Sequence, residues 1–194
     1  MKLSALLLAV LPLVAAAGSI DKGKAFGNPA APITIELFSD FQCPSCQAFH
    51  RDLLPSIMRD YVIPGKVYLV YKEFPLPMHN HSREAAAYAC AAARVGKYEE
   101  VADALFQNQS TWAANGKVFE TVSTALTPAE QKKVQMLAKD PAVLNEVQQD
   151  VQEGESIAVN ATPTMVIIHG AKRYPISGGI NYNLLRGFLD QLAR

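Results

Sequence analysis

The sequence has 194 residues, and its 18 Lys and Arg balance its 18 Asp and Glu. That argues against a nucleic-acid partner, since neutralising phosphates needs a basic surface. Hydrophobic residues make up 49% beside 12 Pro and 11 Gly, which excludes a disordered or collagen-like chain and predicts a globular domain, while three cysteines are too few for a disulfide framework.

Lys2 precedes a largely apolar run over residues 3–14, followed by Ala15, Ala16 and Ala17. A charged start, a short apolar stretch and small residues predict a cleavable signal peptide over residues 1–17. The run is shorter than the roughly 20 residues that span a bilayer. The mature protein is therefore expected in solution outside the cytoplasm, in a periplasmic or similar compartment where disulfides persist.

After a polar lead with Asn28-Pro29 and Ala31-Pro32, residues 33–38 place Ile33, Ile35 and Leu37 on one face and predict a strand. A helix follows from Cys43 or Pro44, because Ala48, Phe49, Leu53, Ile57 and Met58 recur at helical spacing. Pro55 lies inside that pattern and is expected to kink or split it. Residues 67–71 predict a second strand, ended by Pro75 and Pro77. An Ala-rich helix over residues 82–93, another over 98–107 and shorter pieces come next. Thr127-Pro128-Ala129-Glu130 has the capping-box spacing, and Asp140-Pro141 starts a helix toward about Val159. Strands over 164–168 and 173–177, joined by a hairpin, lead to a final helix over 183–192. The order β-α-β, helical block, β-β-α predicts an α/β sheet over residues 18–78 and 157–194, interrupted by a helical insertion over 79–156.

The chemistry lies in Cys43-Pro44-Ser45-Cys46. Two cysteines three apart across a helix start share one face, within reach of a disulfide. Pro44 suits the first helical position, where its missing N–H costs nothing. Cys43 then sits where free N–H groups and the helix dipole stabilise a thiolate, so an exposed Cys43 is the predicted nucleophile and a more buried Cys46 the resolving thiol. A zinc site would need further ligands from His79, His81 and Cys90, whose spacing supplies no second matching pair. An inert structural disulfide would close too small a loop to stabilise much. Cys90, among alanines, reads as a buried inert thiol, and His79 and His81 as solvated loop residues.

Phe38-Ser39-Asp40-Phe41-Gln42-Cys43-Pro44-Ser45-Cys46, Glu73-Phe74-Pro75-Leu76 and Thr162-Pro163-Thr164 resemble the DsbA-like thiol-disulfide oxidoreductases of the bacterial cell envelope. The resemblance implies a thioredoxin fold with Pro163 as a cis-proline facing the cysteines, and Thr162 as a contact for a substrate pairing as an added strand. Pro44 and Ser45, between the cysteines, become modulators of the pair. The best-known oxidants have a histidine at the place of Ser45, so a milder oxidant is expected. Many relatives carry an acid where this chain has Leu37; Glu36 next to it points to the opposite face and stays outside the catalytic set.

The favoured function is an exported enzyme that passes a disulfide to reduced, partly unfolded proteins and needs no cofactor or metal. By resemblance, a membrane-embedded quinone-linked thiol oxidase recharges it. Too few residues precede Ile33 for the dimerisation domain of envelope isomerases, which predicts a monomer. The alternatives are a reductase or isomerase of the same fold, or a peptide-binding module without turnover.

Overall fold

The computed structural model describes residues 22–194, so the signal segment expected over residues 1–17 lies outside the described residues. The alternation at Ile33, Ile35 and Leu37 builds β2 (Ile33–Ser39), the middle strand of a five-stranded sheet in the order β1-β3-β2-β4-β5. β2 runs parallel to β3 (Val67–Glu73), from Ile33 against Val67 to Ser39 against Glu73, and antiparallel to β4 (Thr164–His169). β5 (Lys172–Ser177) closes one edge and carries Pro175, which an edge strand tolerates because one side needs no donor. The other edge is β1 (Ala25–Phe26), antiparallel to β3. Its two residues fall in the stretch read from sequence as a lead, being too short to show a period.

A parallel pair needs a crossover, and the helix beginning at Pro44 supplies it. It runs as α1 (Pro44–Ala48), a π-helical turn (Phe49–Leu53), α2 (Leu54–Ile57) and a second π-helical turn (Met58–Val62). Pro55 thus subdivides the helix without ending it. Its ring would crowd the carbonyl four residues back, and the wide turn just before it, with Leu54 N–H donating to Phe49 C=O, accommodates the missing bond.

The two sheet faces carry different cores. Ile33, Ile35, Leu37, Leu69 and Ile167 pack with Cys46, Ile57 and the Leu185 and Leu189 of α9 (Tyr182–Leu192). On the opposite face, Phe38 and Val166 pack with Phe74, Val151 and Val159. Between β3 and β4 the chain is helical: α3 (Ser82–Ala93), α4 (Tyr98–Gln107), α5 (Gln109–Asn115), α6 (Val118–Ser123), α7 (Pro128–Leu137) and α8 (Pro141–Ser156). The sequence-predicted caps form. Thr127 and Glu130 make a reciprocal capping box, and Asp140 Oδ1 accepts Ala142 N–H at 2.8 Å. α8 stops short of Val159 because Ala158 turns left-handed, at φ 62°. Gly154 is required inside α8, since a Cβ there would lie 2.6 Å from the Phe74 ring.

Buried charge fixes the helical block to the sheet. Lys24 Nζ lies 2.6 Å from Asp150 Oδ2 and 2.8 Å from Glu146 Oε1. Asp150 also accepts Glu73 N–H at 3.0 Å, and Tyr98 OH donates to Glu73 Oε1 at 2.8 Å. Cys90 is fully buried beside this cluster, 3.6 Å from Lys24 Nζ, and burial pushes its thiol well up.

Candidate active site

Cys43 is the N-cap of α1, with extended backbone at φ −78° and ψ 122°. Its carbonyl accepts Cys46 N–H and Gln47 N–H, each at 3.1 Å, so the first turn is anchored on the residue that carries the sulfur. Pro44 occupies the first turn, and no acidic residue there opposes negative charge on Cys43.

The two sulfurs are driven apart in acidity. Cys43 is pulled down to about 5, first by a hydrogen bond from the Cys46 thiol, then by Thr162 and by the N–H groups of Cys46 and Ser45, against the opposing effect of burial. Burial, and its role as donor to Cys43, push Cys46 far up. One thiol therefore carries the charge and the other the proton.

Cys43 was expected to be exposed, and this is corrected: it is 7% exposed, against 1% for Cys46. The cover includes the loop before β4, where Cys43 Sγ lies 3.4 Å from the Thr162 carbonyl. The Thr162–Pro163 peptide is cis. The Thr162 hydroxyl is buried without another hydrogen-bond partner among the described residues. Pro44 and Ser45 are exposed and form the outer rim.

Several residues that sequence reasoning passed over hold this turn. Asp40, 1% exposed, collects four donors on its carboxylate: Gln42 N–H and Ser82 Oγ on Oδ1, Leu76 N–H and His79 Nδ1 on Oδ2, at 2.5 to 2.8 Å. Its own N–H points at Cys46 Sγ, 3.4 Å away, and its carbonyl accepts Cys43 N–H at 3.1 Å. From the helical block, Gln109 Nε2 donates to the carbonyls of Phe41, at 2.7 Å, and Cys43, at 3.0 Å. An Asp just before a helix start, two residues from a free amide, is the Asx-turn signal that could have flagged Asp40.

His79 is likewise no solvated loop residue, being tied to Asp40, and His81 N–H donates to Gln42 Oε1 at 2.8 Å. The donors a zinc reading would recruit are thus engaged elsewhere: His79 on Asp40 and Cys90 against Lys24. Glu36 lies on the sheet face away from Cys46, where Arg173 Nη1 donates to it at 3.2 Å and burial raises its pKa.

Comparison with known proteins supplies independent similarity. The family profile described as Thioredoxin matches residues 19–190. Disulfide bond formation protein D of Bacillus subtilis is 23% identical over 158 residues, 77% of this chain and 69% of that protein. The α-DsbA1 structure of Wolbachia pipientis superposes with a TM-score of 0.72 at 21% identity, covering 88% of this chain and 90% of that one. A thioredoxin-like oxidoreductase from Silicibacter pomeroyi gives a TM-score of 0.70 at 26% identity, with 86% and 90% coverage.

Proposed function

The chain belongs to the thioredoxin family as a DsbA-like thiol-disulfide oxidoreductase, and from that premise we propose that it donates a disulfide to reduced exported proteins through Cys43 and Cys46. The observation that supports this most is the split between the two thiols, an acidic Cys43 at the helix mouth with a protonated Cys46 behind it.

In the oxidised enzyme, a substrate thiolate attacks Cys43 Sγ and the Cys43–Cys46 bond breaks. The electron pair leaves on Cys46, which takes up a proton because burial disfavours its charge. A second substrate thiolate then attacks the substrate sulfur of the mixed disulfide and expels Cys43 as a thiolate, a good leaving group at its lowered pKa. Two electrons pass from substrate to enzyme, and the substrate gains one disulfide. Thr162 offers backbone beside Cys43 to an extended peptide pairing as an added strand, with Pro163 shaping the loop and Pro44 and Ser45 at the rim. Recharging falls to a membrane-embedded quinone-linked thiol oxidase, and the enzyme acts as a monomer.

Equilibration with a glutathione buffer, followed by alkylation and mass measurement, tests the direction. A potential above about −200 mV fits a disulfide donor, whereas one near the roughly −270 mV of thioredoxin overturns it. Cys43→Ser should abolish transfer to a reduced, unfolded protein, and Cys46→Ala should accumulate the mixed disulfide. Undiminished transfer by Cys43→Ser would remove the site itself.

A further inference from the structure

The resolving sulfur is held from a direction that the two-cysteine motif does not supply. Asp40 reaches the pair only through its backbone, with its N–H 3.4 Å from Cys46 Sγ and its carbonyl on Cys43 N–H. Its carboxylate points the other way and is fixed at four points, two on each oxygen. Those donors come from three places: Gln42 in the turn itself, Leu76 and His79 in the loop after β3, and Ser82 at the start of α3. A buried carboxylate with four converging donors has one orientation, so the peptide carrying it has one orientation too.

We propose that Asp40 is a positioning residue for the redox pair: its clamped carboxylate holds the Asp40 amide on the Cys46 sulfur, keeping the Cys46 S–H aimed at the Cys43 thiolate. This rests on the pair being redox-active as proposed above. The amide sets the direction of the neutral Cys46 thiol, and the bond which that thiol donates to the Cys43 thiolate exists only in the reduced form, where it is charge-assisted. Loosening the clamp therefore weakens the reduced form through the Cys46-to-Cys43 bond. The direction is fixed: the variant enzyme becomes a weaker oxidant.

Asp40→Asn tests this with little change of shape, because an amide nitrogen in place of Oδ2 meets the Leu76 N–H donor head-on. Three quantities are read on the full protein: the 240 nm thiolate titration of Cys43, the equilibrium constant with glutathione, and stability to denaturant. Asp40→Asn should raise the Cys43 midpoint and move the glutathione equilibrium three- to tenfold toward the enzyme disulfide, about 15 to 30 mV. His79→Ala, which removes one of the four donors, should shift both the same way by less. Trp112→Phe, which loses its bond to the Leu105 carbonyl inside the helical block, should lower stability and move neither redox quantity. If Asp40→Asn leaves the titration and the equilibrium within 1.5-fold of the parent while the parent exchanges normally, Asp40 is a structural residue only. If the parent pair does not exchange with glutathione at all, the redox reading has failed first.

Discussion

At Cys43 the sulfur's charge is set by donors within one helical turn and by Thr162 across the cleft. Its lowered pKa links to stability with a definite sign. The folded dithiol holds the thiolate from about pH 5 upward, while the unfolded chain ionises this group only near its ordinary value of 9.0. The reduced enzyme should therefore gain stability over Cys43→Ser as pH rises from 5 to 9, at up to ~1.4 kcal/mol per pH unit, and lose the gain as pH falls through 5. Denaturant unfolding of both proteins at pH 5, 7 and 9 checks this; a constant difference contradicts it. The placement of Cys43 and Cys46 was legible in the sequence because their spacing and Pro44 mark a helix start. Asp40 was passed over because its contact with Cys46 runs through a main-chain amide, which residue type does not reveal.

At the scale of elements, the helical block bears directly on the cysteine turn. Gln109, at the start of α5, spans to the carbonyls of Phe41 and Cys43 with one amide nitrogen. Gln109→Leu keeps the bulk and removes both bonds, leaving two buried acceptors with fewer donors. A loss of ~1–3 kcal/mol is expected from denaturant melts, together with slower transfer of the disulfide because the cysteine turn is no longer tethered to the helical block through Gln109. Gln109→Glu would not rescue it, having no N–H to offer. The helices and strands themselves were readable from period and caps: Thr127 with Glu130, and Asp140 before Pro141, mark real starts. β1 left no such trace, and the wide turns around Pro55 depend on how the crossover packs rather than on local propensity.

Across the whole molecule, the sequence order β-α-β, helices, β-β-α carried the topology, since the four longer strands and the main helices announce themselves locally. What joins the helices to the sheet was hidden, because Lys24 meets Asp150 across 126 positions and no periodic pattern encodes such a pair. Glu73 at this junction provides a whole-molecule test. Burial pushes it up to about 8 from 4.5, so below pH 4.5 both folded and unfolded chains hold its proton. Between 4.5 and 8 the unfolded chain releases that proton first, and the parent loses stability as pH rises. Glu73→Gln keeps the carbonyl that Tyr98 OH donates to and has no proton to lose. Its stability relative to the parent should rise across that window, and a parallel pair of stability profiles would refute the assignment.

The sealed position of Cys90 has a consequence for the chain's own maturation. A third thiol loose on the surface could capture Cys43 or Cys46 and lock the enzyme in a dead-end isomer. Packed among Ala86, Ala89 and Ala93 and walled off beside Lys24, Cys90 can be captured only if the helical block opens. A thiol-disulfide oxidoreductase is thereby kept from scrambling its own cysteines, and native labelling with a thiol reagent should spare this residue until the fold is lost.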